Sequence, residues 1–115
     1  MGDIYDDANN PFAVANINGA SFYDYGASVA DDGTFNLPVI PNAGRGTVVV
    51  GADEEAADFT IKSDGTVSLI SASANVVANA DTDAKFCIGT SVASPCVIKN
   101  RLGAAKNAVM HLVYG

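Results

Sequence analysis

Tryptophan is absent, histidine occurs once, cysteine occurs twice, and aromatic residues make up only 8% of the 115-residue chain. A chain so poor in large rings builds its interior mainly from Ala and Val, which suits thin sheets better than a thick aromatic core. Cations are scarce as well: six Lys and Arg stand against thirteen Asp and Glu, a net charge of −7. Phosphate binding needs clustered Lys and Arg, so no nucleic-acid partner is expected, and the same sign argues against an anionic membrane surface. No apolar run approaches the roughly 18 residues of a membrane span. The opening residues, MGDIYDDANN, are acidic and lack an apolar h-region, so they do not read as a secretory signal. Position 6 is Asp6, where a myristoylation signal wants Ser or Thr.

What is present is a 49% hydrophobic chain of ordinary domain size, which can bury a core without disulfides. Residues 1–115 read as one domain, with residues 1–11 a candidate flexible or attachment arm. Turn signals recur at about eight to twelve residues: Asn18-Gly19, Asp32-Gly33, Asn42-Ala43-Gly44, Asp64-Gly65, Asn79 to Asp83, Ser94-Pro95 and Leu102-Gly103. Between them lie β-prone runs near 12–17, 20–29, 34–40, 46–51, 57–62, 66–72, 74–78, 84–89, 96–100 and 107–114. That spacing predicts an all-β fold, a β-sandwich or jelly roll of eight to ten short antiparallel strands. The best helical candidate, Asp53 to Ala57, is one turn at most.

Two segments repeat a pattern: ASVADDGTFNL at 27–37 and FTIKSDGTVSL at 59–69. In the second, a two-residue turn would set Ile61 opposite Ser68. A three-residue loop, Ser63 to Gly65, sets Ile61 opposite Val67 and Phe59 opposite Leu69. The longer loop keeps the apolar residues on one face and puts Gly65 where a left-handed residue is needed. The same logic pairs Val29 with Phe35 and Ala27 with Leu37, so Phe35, Leu37, Phe59, Ile61, Val67 and Leu69 are expected to face the core together.

The closing run, NAVMHLVYG, is apolar on both sides: Val109, His111 and Val113 point one way, Met110, Leu112 and Tyr114 the other. Such a strand is central in its sheet or covered on both faces. Val109, His111, Val113 and Tyr114 are therefore candidates for an oligomer interface. Charge is unevenly placed. Residues 1–83 carry all thirteen acids and two cations, a balance of −11, while residues 84–115 carry Lys85, Lys99, Arg101, Lys106 and no acid, a balance of +4. Either the fold mixes these segments on one surface, or acidic and basic faces meet between neighbouring subunits.

Catalytic motifs do not emerge. His111 is the only histidine and reads as a packed or hydrogen-bonded strand residue; a nucleophilic triad would need it beside an activated serine, and no G-x-S-x-G elbow, P-loop or dinucleotide fingerprint is present. The paired carboxylates sit in turns and read as solvated. Asp81 and Asp83 are a weak calcium candidate, because a loop rich in oxygen ligands suits a hard cation, but the segment lacks EF-hand spacing. Two cysteines cannot build a structural zinc site. Cys87 and Cys96 flank the turn GTSVASP. If Phe86 pairs with Val97, Cys87 stands opposite Cys96, either as a cross-strand disulfide or as two free thiols. No enzymatic activity and no cofactor are expected.

The stretch from Asp64 to Gly115 resembles the end of small tailed-phage virion proteins, in which a D-T-D-x-K-x-C-I strand precedes a V-x-I-K-N-R-L-G strand and turn and a closing apolar strand. The matching residues are Asp81, Thr82, Asp83, Lys85, Cys87 and Ile88, then Val97, Ile98, Lys99, Asn100, Arg101, Leu102 and Gly103. Cys96 has no place in that pattern. The resemblance implies a non-enzymatic capsid-decoration, head-fibre or tail-accessory protein, made in the cytoplasm of a bacterial host and resident in the virion. Its partners would be itself, as a homo-oligomer with a trimer favoured, and a larger capsid or tail protein. The alternative is an extracellular carbohydrate-binding or adhesion module, for which Tyr5, Phe22, Tyr23 and Tyr25 are the candidate aromatics.

Overall fold

The computed structural model describes residues 16–17, 20–51 and 55–115. The candidate arm at 1–11, Tyr5, the start of the first expected strand, the Asn18-Gly19 turn, Asp53 and Glu54 lie outside the described residues. Alternating apolar and polar residues between turn signals fold, among the described residues, as ten strands: β1 (Asn16–Ile17), β2 (Ala20–Val29), β3 (Thr34–Asn36), β4 (Ala43–Val50), β5 (Glu55–Lys62), β6 (Val67–Ala72), β7 (Val76–Ala78), β8 (Phe86–Ile88), β9 (Val97–Asn100) and β10 (Lys106–Tyr114). They form a six-stranded sheet, in the order β1-β2-β10-β4-β5-β6, and a four-stranded sheet, in the order β3-β9-β8-β7. No helix occurs among the described residues; Glu55 to Ala57, expected as part of a helical turn, start β5.

The two sheets share one core. Strict alternation in β5 turns Ala57, Phe59 and Ile61 inward, and the same period in β10 turns Ala108, Met110 and Leu112 inward. Phe86, Ile88 and Ile98 meet them from the smaller sheet. The expected core set holds: Leu37, Phe59, Ile61 and Val67 are buried, and Phe35 and Leu69 pack against them partly buried. β10 is central, between β2 and β4.

The β5–β6 hairpin has the expected register, with Phe59 opposite Leu69 and Ile61 opposite Val67. Gly65 takes φ +93°, and the Ala93 carbonyl lies against it so closely that a Cβ would fall 1.8 Å from its oxygen. The 27–37 segment is different. β2 pairs with β1 and β10, whereas β3 pairs with β9, placing Phe35 opposite Ile98. Asp32, at φ 61°, and Gly33 turn the chain from one sheet to the other instead of closing a hairpin. Val29 and Phe35 are therefore not partners. One further expectation changes: β7 and β8 run parallel, with Val76 beside Phe86.

Wherever the chain changes sheet, backbone groups lose their ladder partners and must be satisfied otherwise. Polar side chains do this at three corners. Asn100, fully buried, donates from Nδ2 to the carbonyls of Val29 (3.0 Å) and Ala104 (2.8 Å), and its Oδ1 accepts from the Leu102 amide (2.9 Å). Asn79 accepts from the Val67 amide and donates to the Val67 carbonyl, tying the end of β7 to β6. Glu55 accepts from the Ser73 hydroxyl and from Asn75 Nδ2 (2.9 Å), while Asn75 Oδ1 accepts from Lys85 (3.1 Å). That chain of bonds joins β5 to the entry of β8.

Candidate functional site

The outward side of the six-stranded sheet is the most distinctive surface. Ladder register lays its side chains in rows. One row runs Phe22, Val113, Arg45 and Thr60; the next runs Asp24, His111, Thr47, Asp58 and Ser71; the third runs Gly26, Val109, Val49 and Ala56. Phe22, Val49, Val109 and Val113 are between 40 and 54% exposed, although they stand on the central strands of the sheet. Between them His111 Nδ1 lies 2.8 Å from Asp24 Oδ1. A carboxylate can only accept, so this bond requires the proton on Nδ1. A shallow groove of about 390 Å³ opens beside the pair, lined by Phe22, Arg45, Thr47 and Val113, with the backbone of Gly46 and Leu112 as its floor.

His111 is thus hydrogen-bonded, as expected, but lies on an open face rather than within packing. Thr47 is its register neighbour on β4. The face can bind through apolar contact and orient polar groups; the exposed Asp24–His111 pair is screened by water on every open side. Of the four interface candidates, Val109, His111 and Val113 lie together here. Tyr114 turns inward and packs against the core, so it does not belong to this surface.

The residues that carry the virion resemblance converge on the smaller sheet. The 79–85 loop is held there by ion pairs: Asp81 meets Lys99 (3.1 Å) and Arg101 (2.9 Å), Asp83 meets Arg101 (3.4 Å), and Arg101 also reaches Asp32 (3.3 Å). Hydrogen bonds from Arg101 and then Lys99 hold the Asp81 carboxyl below its ordinary value, and the bond to Asp81 pushes the Arg101 guanidinium up. The calcium candidate is corrected by this geometry, because both carboxylates already face cationic side chains. No group of three or more His, Cys, Asp or Glu suited to a metal ion occurs among the described residues.

The cysteine pairing is also corrected. Cys87 stands opposite Lys99, and Ile88 opposite Ile98. Both thiols are free and buried. Antiparallel partners share a face, so the inward Phe86 and Ile88 must oppose the inward Asn100 and Ile98. The expected Phe86–Val97 register would have set a core residue against one on the other face. Cys96 joins the core, where burial pushes its pKa up to about 11. Cys87 points the other way, under the 79–85 loop, where its Sγ accepts from the Thr82 amide (3.4 Å) and burial raises its pKa.

Sequence reasoning missed Asn100, Asn79 and the Glu55 network. A polar residue inside a strand, as in Val97–Asn100, is the only advance signal for the first. Of the carbohydrate candidates, Phe22 lines the groove, whereas Tyr23 and Tyr25 face the core side and Tyr25 stacks on Phe35 with ring centroids 3.7 Å apart. Compared with protein-family models, curated proteins and solved structures, the chain matches none.

Proposed function

We propose that this chain is a non-enzymatic virion structural protein that attaches, as an oligomer, to a phage capsid or tail. The observation that carries the reading is the outer face of the six-stranded sheet, where Phe22, Val49, Val109 and Val113 stand half-exposed on central strands. Central strands of an isolated sandwich present polar residues to water on their open side. Apolar, β-branched residues there suit sheet-face packing against another protein surface. The resemblance adds that its two motif segments form one cluster through Asp81, Asp83, Lys99 and Arg101, a scaffolding role rather than a chemical one. Mass spectrometry of virions banded from a lysate of the host that carries this gene should find the chain at stoichiometric amounts, and Val109→Lys should remove it from them. Particles that lack the wild-type chain would overturn the proposal.

One observation favours a second reading. Phe22, Asp24, Arg45, Thr47 and His111 surround one groove, and an aromatic plate beside fixed polar groups is what a sugar ring requires. A glycan array probed with the wild-type chain and with Phe22→Ala decides for or against a carbohydrate-binding module.

A further inference from the structure

The outer sheet face carries Asp24, Asp58, Arg45 and Lys62, two acids and two cations, and so is electrically balanced in a chain of net charge −7. Two copies of such a chain repel each other overall, but this face adds no net charge to that repulsion, and it carries four of the seven exposed large hydrophobics among the described residues. A flat row of valines, Val49 beside Val109 with Val113 on the same strand, is matched best by another flat β-branched surface, and the second copy supplies one.

We infer that the chain pairs with a second copy of itself, outer face to outer face, as a two-fold dimer. The inference rests on the structural reading above and names the partner of the same face. A surface that packs on itself closes with two-fold symmetry, whereas a trimer needs two different complementary patches. The resemblance favours a trimer, but Met110 and Leu112 fill the core, leaving only one side of the closing strand to share. Five strands spaced about 4.8 Å apart, each about 26 Å long, give a projected face of roughly 500 Å² per copy, about 1,000 Å² in total and just under the roughly 1,200 Å² at which stable interfaces begin. The dimer is accordingly weak, with a dissociation constant in the micromolar range.

Sedimentation equilibrium of the full chain, from low micromolar to several hundred micromolar, tests this. The weight-average mass should rise from 11.7 kDa toward twice that value and no further. Val109→Lys should hold the mass at one chain with unchanged circular dichroism and Tm. Val92→Lys, an equally exposed valine in the β8–β9 loop, should dimerise like wild type. A constant single-chain mass, a mass that climbs to three chains, or dimerisation undiminished in Val109→Lys overturns the inference. So does a monomer that Val109→Lys destabilises, since a segment of the same chain would then cover the face. A monomer that is nonetheless present in virions sinks the dimer alone; a dimer absent from virions sinks the virion role alone.

Discussion

Asn100 is small and polar, yet it joins the end of β2, the end of β9 and the turn into β10 through one buried amide. Asn100→Ala takes a partner from the buried Val29 carbonyl and from the part-buried Ala104 carbonyl and Leu102 amide. A buried unsatisfied group costs about 1–3 kcal/mol, so urea unfolding should show a loss of about 2 kcal/mol. Glu55 makes a prediction in pH. Hydrogen bonds from Ser73, then Asn75, hold its carboxyl below the ordinary value. A carboxyl whose folded pKa is depressed contributes stability in full above the unfolded pKa, about 4.3 for Glu, and loses it as pH falls through the folded value. Ser73→Ala removes the first of these donors. Its urea midpoint should lie below wild type at pH 7, and the gap should close as the pH drops below about 4. A gap that stays constant with pH would mean that Ser73 acts through packing or its backbone bonds alone.

At the level of elements, the contrast between 59–69 and 27–37 shows what was legible. Both read as apolar alternation around D-G-T. In the first, the partners are local, so turn length and alternation suffice to set the register. In the second, Phe35 finds Ile98, sixty-three positions away, and nothing local distinguishes a hairpin from a chain leaving its sheet. The cysteine register failed similarly: counting outward from a turn assumes its loop is short and symmetric, whereas inward alternation of Phe86, Ile88, Ile98 and Asn100 decides the pairing. The outer face was half legible, since Val109, His111 and Val113 share a side in any strand, but Phe22, Arg45 and Val49 join them only through the sheet order. Two glycines give a matched test. Gly65 and Gly103 both take positive φ, but a Cβ on Gly65 strikes the Ala93 carbonyl while one on Gly103 meets nothing within 4 Å. Gly103→Ala should cost about 1 kcal/mol for the left-handed backbone alone. Gly65→Ala should cost about 3 kcal/mol or more, adding the shift of the 89–96 loop. Equal losses in denaturant titrations would show that this loop yields freely.

At the scale of the whole molecule, the described part of the charge split is bridged inside the chain. The acid-free segment sends Lys99 and Arg101 to Asp81, Asp83 and Asp32, and Lys85 to Asn75 and the Ala74 carbonyl. Among the described residues, Lys99 and Arg101 of the basic segment therefore meet acids of the same chain, and those pairs need no neighbouring subunit. Arg101 is the hinge of this arrangement, because one guanidinium contacts three carboxylates drawn from the β2–β3 turn and the 79–85 loop. That loop makes the short parallel step from β7 to β8, a connection that ordinarily takes a dozen residues or more, and its own backbone turns through positive φ at Asn79 and Ala84. Ion pairs that pin it also close the cover over Cys87. Arg101→Met keeps much of the side chain's apolar length but leaves three acids facing one another on a surface already short of cations. The variant should unfold at lower urea than Lys99→Met, which leaves Arg101 in place to hold Asp81. Its deficit should shrink in about 1 M NaCl, where the screening length falls to about 3 Å. It should also expose Cys87 to a thiol reagent faster than in wild type, while Cys96, inside the core, stays protected. Unchanged Cys87 reactivity in a destabilised Arg101→Met would mean that Thr82 and the backbone hold the loop down without the ion pairs.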